Sequence, residues 1–225
     1  MRLGLRHGLS YCVSDGIVIF LDVDLDRYFR LPPPLEQAFL AYADTGTAHV
    51  VTLQPLIDGG ILSDASDALP LQEAPRIAAP SDSAIECITQ QKRSAITLLP
   101  EVSITTWWMR RQLMNRPLKA VLETAAEHRR RCVRSVRSPR HRAEEWLLET
   151  VQAFQRARRQ VPVPTRCLLD SLTLTRVLAC RGQDSRIVFG IAHAPFSAHC
   201  WVQVDGLVLN ESVGTAMAHT PIKVV

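Results

Sequence analysis

Cys167, His199 and Glu211 are the residues of this chain whose types and spacing best fit covalent catalysis. A thiol becomes a strong nucleophile when a nearby imidazole takes its proton, and a third polar group then fixes the imidazole's tautomer. Cys167 follows Pro162-Val163-Pro164-Thr165-Arg166, where two prolines hold the backbone extended. It then heads a stretch in which Leu168, Leu172, Thr175 and Ala179 recur along one side of a helix that Gly182 ends. A cysteine in the first turn of a helix meets unpaired N–H groups and the positive end of the dipole, both of which favour the thiolate.

His199 opens the apolar strand His199–Val204, after a strand over Arg186–Ile191 and a loop through Pro195, and Asp205-Gly206 marks a tight turn into Leu207–Glu211. Nucleophile on a helix, base on a strand and orienting group on the next strand is the papain-type order. The third group depends on the turn. A two-residue turn pairs Val204 with Leu207, sets Asn210 opposite Trp201 and Ser212 opposite His199, and so points Glu211 the wrong way. A three-residue loop with a bulge pairs Gln203 with Leu207 and sets Glu211 opposite His199. Register alone does not choose between them. An ionised carboxylate is the better partner for an imidazolium, which favours Glu211. Asn210 is the first alternative, because an amide performs this role in papain-like sites, and Asp205, read mainly as a turn residue, is the second. His193 reads as a solvated loop residue, and His7, His49, His128, His141 and His219 lack ligand spacing to one another.

The elements that must position these groups lie in a chain of 225 residues, 47% hydrophobic, with a net charge of +4. The charge is unevenly spread: residues 1–86 hold 5 basic and 12 acidic side chains, residues 87–166 hold 17 and 6, and residues 167–225 hold 4 and 4. Such blocks predict two units joined by a basic connector. We place the first at 1–78 and the second at 79–225, with a linker over the proline-containing residues 70–83. The pattern is α+β. Leu9–Val13, Ile17–Leu21 and Arg27–Leu31 read as strands, Leu35–Tyr42 and His49–Leu56 as helices, and Trp107–Leu122 as helical with a break at Pro117. Glu144–Arg158 is the clearest amphipathic helix, with a stripe of Leu147, Leu148, Val151 and Phe154. Arg129–Arg142 holds seven arginines in fourteen residues. It reads as a solvated surface or tether, with an acidic partner as the next option; no recognition pattern supports nucleic acid.

No apolar run is long enough for a membrane span, and Met1–Gly8 lacks the apolar follow-on of a signal peptide, so the expected compartment is the cytoplasm. Six cysteines at positions 12, 87, 132, 167, 180 and 200 form no CxxC, which argues against a structural zinc site or a disulfide scaffold, and neither metal nor cofactor is expected.

The run Cys167-Leu168-Leu169-Asp170-Ser171-Leu172, the strand containing Gly190, and His199-Cys200-Trp201-Val202-Gln203-Val204-Asp205-Gly206-Leu207-Val208-Leu209-Asn210-Glu211 resemble the bacterial lasso-peptide B proteins. Asp15–Asp22 with Arg27–Leu31 resembles the small winged-helix-like, PqqD-like leader-recognition module of the same family. The resemblance implies a fused protein: a PqqD-like domain, then a transglutaminase-like, papain-related cysteine protease domain. It further implies a leader peptidase. Tyr28, Phe29, Arg30 and Leu31 would hold the leader of a lasso precursor peptide as an added strand. Cys167 would attack at the leader–core junction, and the freed core would pass to an ATP-dependent macrolactam synthetase. ATP binding is not assigned to this chain, which has no GxxxxGK[ST] motif. The same nucleophile also serves a transamidase, and the same modules a non-catalytic peptide-binding scaffold. Two positions depart from the family pattern: Cys200 stands where alanine is usual, read as a change on the face away from the site, and Glu211 where aspartate is usual.

Overall fold

The computed structural model describes residues 3–46, 50–64, 68–69, 71, 77–87, 95–135 and 144–225. The chain divides into two compact units, Met1–Pro75 with Thr220–Lys223, and Arg76–His219 with Val224–Val225.

In the first unit the elements run β1 (Leu3–Arg6), β2 (Leu9–Ser14), β3 (Ile17–Asp22), β4 (Arg27–Phe29), α1 (Pro33–Thr45), α2 (Val50–Asp58), β5 (Leu62–Asp64) and β6 (Ala68–Leu69). β2, β3 and β4 form an antiparallel meander, and β5, β1 and β6 a second three-stranded sheet. The predicted third strand is shorter than expected: Arg30 and Leu31 lie beyond β4. Pro33 and Pro34 do not merely stop that strand. They start α1, because proline at the first helical positions gives up an N–H that has no partner there. Phe20, Phe39 and Tyr11 lock the core, with Phe20–Phe39 and Tyr11–Phe39 edge-on at 5.0 and 4.9 Å. Tyr42 reaches from α1 to β1, where its hydroxyl accepts from Leu3 N at 2.8 Å and donates to Leu3 O at 3.1 Å.

The second unit begins with β7 (Asp82–Ser83), inside the stretch read as linker, and continues with α3 (Ala95–Asn115), α4 (Leu118–Ser135), α5 (Glu144–Arg158) and α6 (Cys167–Ala179). β8 (Arg186–Ala192), β9 (Ser197–Val204), β10 (Leu207–Val208) and α7 (Val213–Met217) follow, and β11 (Thr220–Val224) is divided between the two units. Within the second unit the strand order is β8-β9-β10-β7, and β7 joins β10 in parallel. The helix α6 packs against α3 and α4 and lies on β9 and β8. It is buried along most of its length, including Leu169, Leu172, Leu174, Val177 and Leu178. In α5 the expected stripe is buried at Leu147, Val151 and Phe154, joined by Thr150, Ala153 and Ala157, whereas Leu148 is half-buried. Pro117 separates α3 from α4 as expected.

The arginine run departs from the solvated reading at its first member. Arg129 lies within α4, 5% exposed and paired with Asp184, while Arg130 and Arg131 bond Glu127 on the surface. Residues 136–142 of that run, including His141, and His49 lie outside the described residues, as do residues 70 and 72–76 of the linker. Among the described residues no helix is long and apolar enough to cross a membrane.

Candidate active site

Cys167 is the first residue of α6, after Arg166 in an extended conformation (φ −144°, ψ 132°). Its N–H and the next two have no carbonyl one turn back, and the first backbone bond of the helix is Asp170 N to Arg166 O at 2.9 Å. The entry to the helix is held by Arg158, the last residue of α5 and only 4% exposed. Its guanidinium donates to Asp170 Oδ1 at 2.7 Å, Val163 O at 2.9 Å and Pro164 O at 3.1 Å. One buried cation therefore ties the extended Pro162–Arg166 segment to the first turn of the nucleophile helix. Burial raises the Asp170 pKa and Arg158 opposes that rise.

His199 lies on β9, opposite Gly190 on β8. A Cβ at Gly190 would stand 2.8 Å from Trp201 Cζ3 and 2.9 Å from His219 Cβ, so glycine is required by the side chains that crowd this part of the sheet. His199 Nε2 meets Glu211 Oε2 at 2.8 Å. The other oxygen, Glu211 Oε1, accepts from Ser212 N at 2.9 Å, and the Ser83 hydroxyl donates to Glu211 O at 2.6 Å. The carboxylate is thus oriented by its own neighbour, and the backbone that carries it is held by a strand more than a hundred residues away. With Nε2 given to Glu211, the ring nitrogen left for Cys167 is Nδ1.

Glu211 reaches His199 by a route other than the expected bulge. The turn is the two-residue form, pairing Leu207 with Val204 and Val208 with Gln203. Asp205 takes the left-handed conformation (φ 50°), and Gly206 faces Ser81, whose Oγ would be 2.6 Å from an added Cβ. That register was expected to point Glu211 the wrong way. It does not, because β10 ends at Val208 and pairing beyond it passes to side chains. Leu209 N still bonds Val202 O at 2.8 Å, but the Asn210 side chain then accepts from Val202 N at 2.7 Å and donates to Ser171 Oγ at 3.0 Å. The amide of Asn210 thereby turns the chain out of the sheet, and Glu211 swings back to the histidine. Asn210 is engaged with β9 and α6, and Asp205 serves the turn, where its carbonyl accepts from Gln203 Nε2 at 2.5 Å.

Cys167 carries a strongly acidic thiol, its pKa drawn down to about 4. A hydrogen bond from the Cys200 thiol contributes most and one with His199 next, against burial, which raises it. The His199 pKa is raised, first by its bond with Cys167 and further by Glu211, with burial opposing. Cys200 is pushed the other way by the Cys167 sulfur it serves and by burial. The expectation that Cys200 faces away from the site is therefore corrected. Alternation along β9 sends its thiol under α6, 3.9 Å from the buried Ser171 hydroxyl oxygen.

Three neighbours escaped the sequence reading. Ser171 lies one helical turn after Cys167, Ser83 sits in the stretch read as linker, and His219 lies beside His199, the rings tilted at 42° with centroids 5.6 Å apart. His219 Nδ1 is 2.7 Å from Thr215 O and its Nε2 is 3.1 Å from Ser197 Oγ. A serine four residues after the nucleophile was a usable helix signal; nothing in the spacing of Ser83 or His219 points to the site. His128, Cys132 and Cys180, read as unrelated, come together at the far end of α6. Tyr28, Phe29, Arg30 and Leu31, expected to hold a leader, lie on or just after β4, an outer strand of the meander. Phe29 stacks on Phe20 at 5.1 Å, Leu31 packs on the core and Arg30 is exposed.

Residues 112–224 match the family model of the transglutaminase-like superfamily, half of the chain, with Cys167, His199 and Glu211 inside the match. The chain belongs to the transglutaminase-like superfamily. It is also 41% identical over 46 residues to the microcin J25-processing protein McjB of Escherichia coli, a match covering 20% of this chain and 22% of that protein. The chain thus matches this relative over less than a quarter of the relative's length. No solved structure matches the chain.

Proposed function

We propose that the protein is a cysteine peptidase that removes the leader from a lasso peptide precursor, with Cys167 as nucleophile, His199 as base and acid, and Glu211 as the group that orients the histidine. The observation that carries this reading is the His199–Glu211 bond of 2.8 Å beside a Cys167 whose thiol is drawn down to about 4 at the head of α6. Membership of the transglutaminase-like superfamily and the local likeness to a microcin-processing protein favour peptide processing over other thiol chemistry.

In this mechanism the Cys167 sulfur bonds to the carbonyl carbon at the leader–core junction. The helix N-terminus at Cys167 favours the negative charge on the oxygen. As the C–N bond breaks, His199 gives its proton to the core's amine, leaving a thioester on the leader. His199 then takes a proton from water, whose oxygen attacks the thioester carbon, and the leader leaves as a carboxylic acid. Glu211 holds the imidazole and stabilises its charged form throughout.

The first unit is assigned to leader recognition. As an outer strand, β4 offers an edge to which an extended peptide can add, with Tyr28 to Leu31 beside it. The proposed partners are the precursor peptide and an ATP-dependent macrolactam synthetase that closes the ring on the freed amine. The test is mass spectrometry of the precursor incubated with this protein, the synthetase and ATP. Release of an intact leader with a carboxyl terminus is expected, together with its loss in Cys167→Ala and retained leader binding by that variant. Cleavage by Cys167→Ala would overturn the assignment, and a new amide on the leader would identify a transamidase.

A further inference from the structure

We propose that His128, Cys132 and Cys180 form a zinc-binding site that fastens the C-terminal end of α6 to α4. His128 and Cys132 are four residues apart on α4 and so share a face, while Cys180 caps the C-terminus of α6. Cys132 and Cys180 are 48 positions apart, which is why no motif announces them. Their donor atoms lie within 4.8 Å of one another.

Cys180 Sγ is 3.6 Å from His128 Nε2, and Cys132 Sγ is 3.5 Å from Nε2 and 3.8 Å from Nδ1 of the same ring. Around tetrahedral zinc, with bonds of about 2.3 Å to sulfur and about 2.0 Å to nitrogen, sulfur and nitrogen ligands stand about 3.6 Å apart. The Cys180 spacing matches that edge, and Cys132, lying beside the ring, reaches the ion once its side chain or the imidazole turns. Two sulfurs and one imidazole are also the donor set that zinc takes from proteins, and a harder cation would prefer oxygen.

On binding, Zn²⁺ displaces one proton from each thiol, and two thiolates cancel the charge of the ion. Among the described residues no fourth His, Cys, Asp or Glu joins the group, and Cys180 is exposed, so the fourth position falls to water. The site lies at the opposite end of a 13-residue helix from Cys167, about 20 Å away along the axis. Its role is therefore to hold the helix and not to react.

The test uses the full chain, reduced, in a Cys167→Ala background so that the thiol–imidazole pair at the other end of α6 cannot bind the probe. Titration with Co²⁺ should give one equivalent bound per chain, with thiolate-to-cobalt charge-transfer absorption and the visible bands of a tetrahedral site. Zn²⁺ should displace the cobalt and raise Tm. Cys132→Ser, Cys180→Ser and His128→Asn should each abolish the charge-transfer band or weaken binding at least tenfold. Circular dichroism confirms that each variant is folded, and His128→Asn keeps both thiols if a serine variant is not. Absence of the band in the parent would overturn the proposal, as would its persistence in all three variants. So would a parent that binds no cobalt but forms a reversible Cys132–Cys180 disulfide.

Discussion

Each end of α6 carries a cysteine beside a histidine, and the two pairs behave oppositely. At the N-terminus Cys167 is drawn down to about 4, while at the C-terminus Cys180 is raised. Position on the helix accounts for part of this: N–H groups face the first thiol and carbonyls the second. Partners account for the rest. Cys167 receives a hydrogen bond from Cys200 and one with His199, whose own pKa is raised, whereas Cys180 is raised first by burial and then by the neighbouring Cys132 thiol. A thiol and an imidazole in proximity therefore do not make a nucleophile. The carboxylate behind the histidine and the donors around the sulfur decide which chemistry the pair can do.

The largest effect expected at the N-terminal end is from Cys167→Ala, which should lower precursor cleavage by on the order of a hundred-thousandfold or more in single-turnover assays. Glu211→Gln should come next, with kcat falling by roughly a hundredfold to ten-thousandfold, because the amide keeps the shape but not the charge that favours imidazolium. A Glu211→Asp variant recovering most of that loss would support an orienting role, and full activity in Glu211→Gln would remove the carboxylate from the mechanism.

Arg158→Ala should destabilise the fold by about 3–5 kcal/mol in urea unfolding, because it leaves the half-buried Asp170 carboxylate without its cation. Two carbonyls, of Val163 and Pro164, lose their donor as well. A loss under about 1 kcal/mol would mean that this segment is held by packing alone.

Alkylation by iodoacetamide tests the comparison directly. At about pH 6 Cys167 should be almost wholly thiolate, and Cys180 about one part in a thousand or less. The lower basicity of Cys167 gives back about a hundredfold in nucleophilicity, so Cys167 should react about tenfold faster. The sign of its pH profile follows from the shifts. The thiolate–imidazolium pair forms as pH rises through about 4 and is lost as pH rises through the elevated His199 pKa. Equal labelling of Cys167 and Cys180 by peptide mapping would contradict the difference between the two ends. Smallest of all, Cys200→Ala should shift the acid limb of that profile upward and lower activity only a few-fold, since His199 still faces the sulfur.

The sequence determined a good deal. Local periodicity and the proline breaks marked α5 to its observed limits and placed the start of α6, because an amphipathic stripe and a restricted backbone are properties of neighbouring residues. The types of Cys167, His199 and Glu211 pointed to one chemistry for the same reason that any chemist would combine them. Only tertiary structure decided how they meet. The predicted bulge is absent, and Glu211 arrives because Asn210 leaves the sheet to bond Val202 and Ser171, a choice made across three elements. Ser83 bracing Glu211, Cys200 turned toward Cys167, and Cys132 brought to Cys180 are contacts between residues far apart in the chain or across a sheet face. Periodicity carries no record of such contacts, since what fixes them is the packing of α6 between α4 and the sheet.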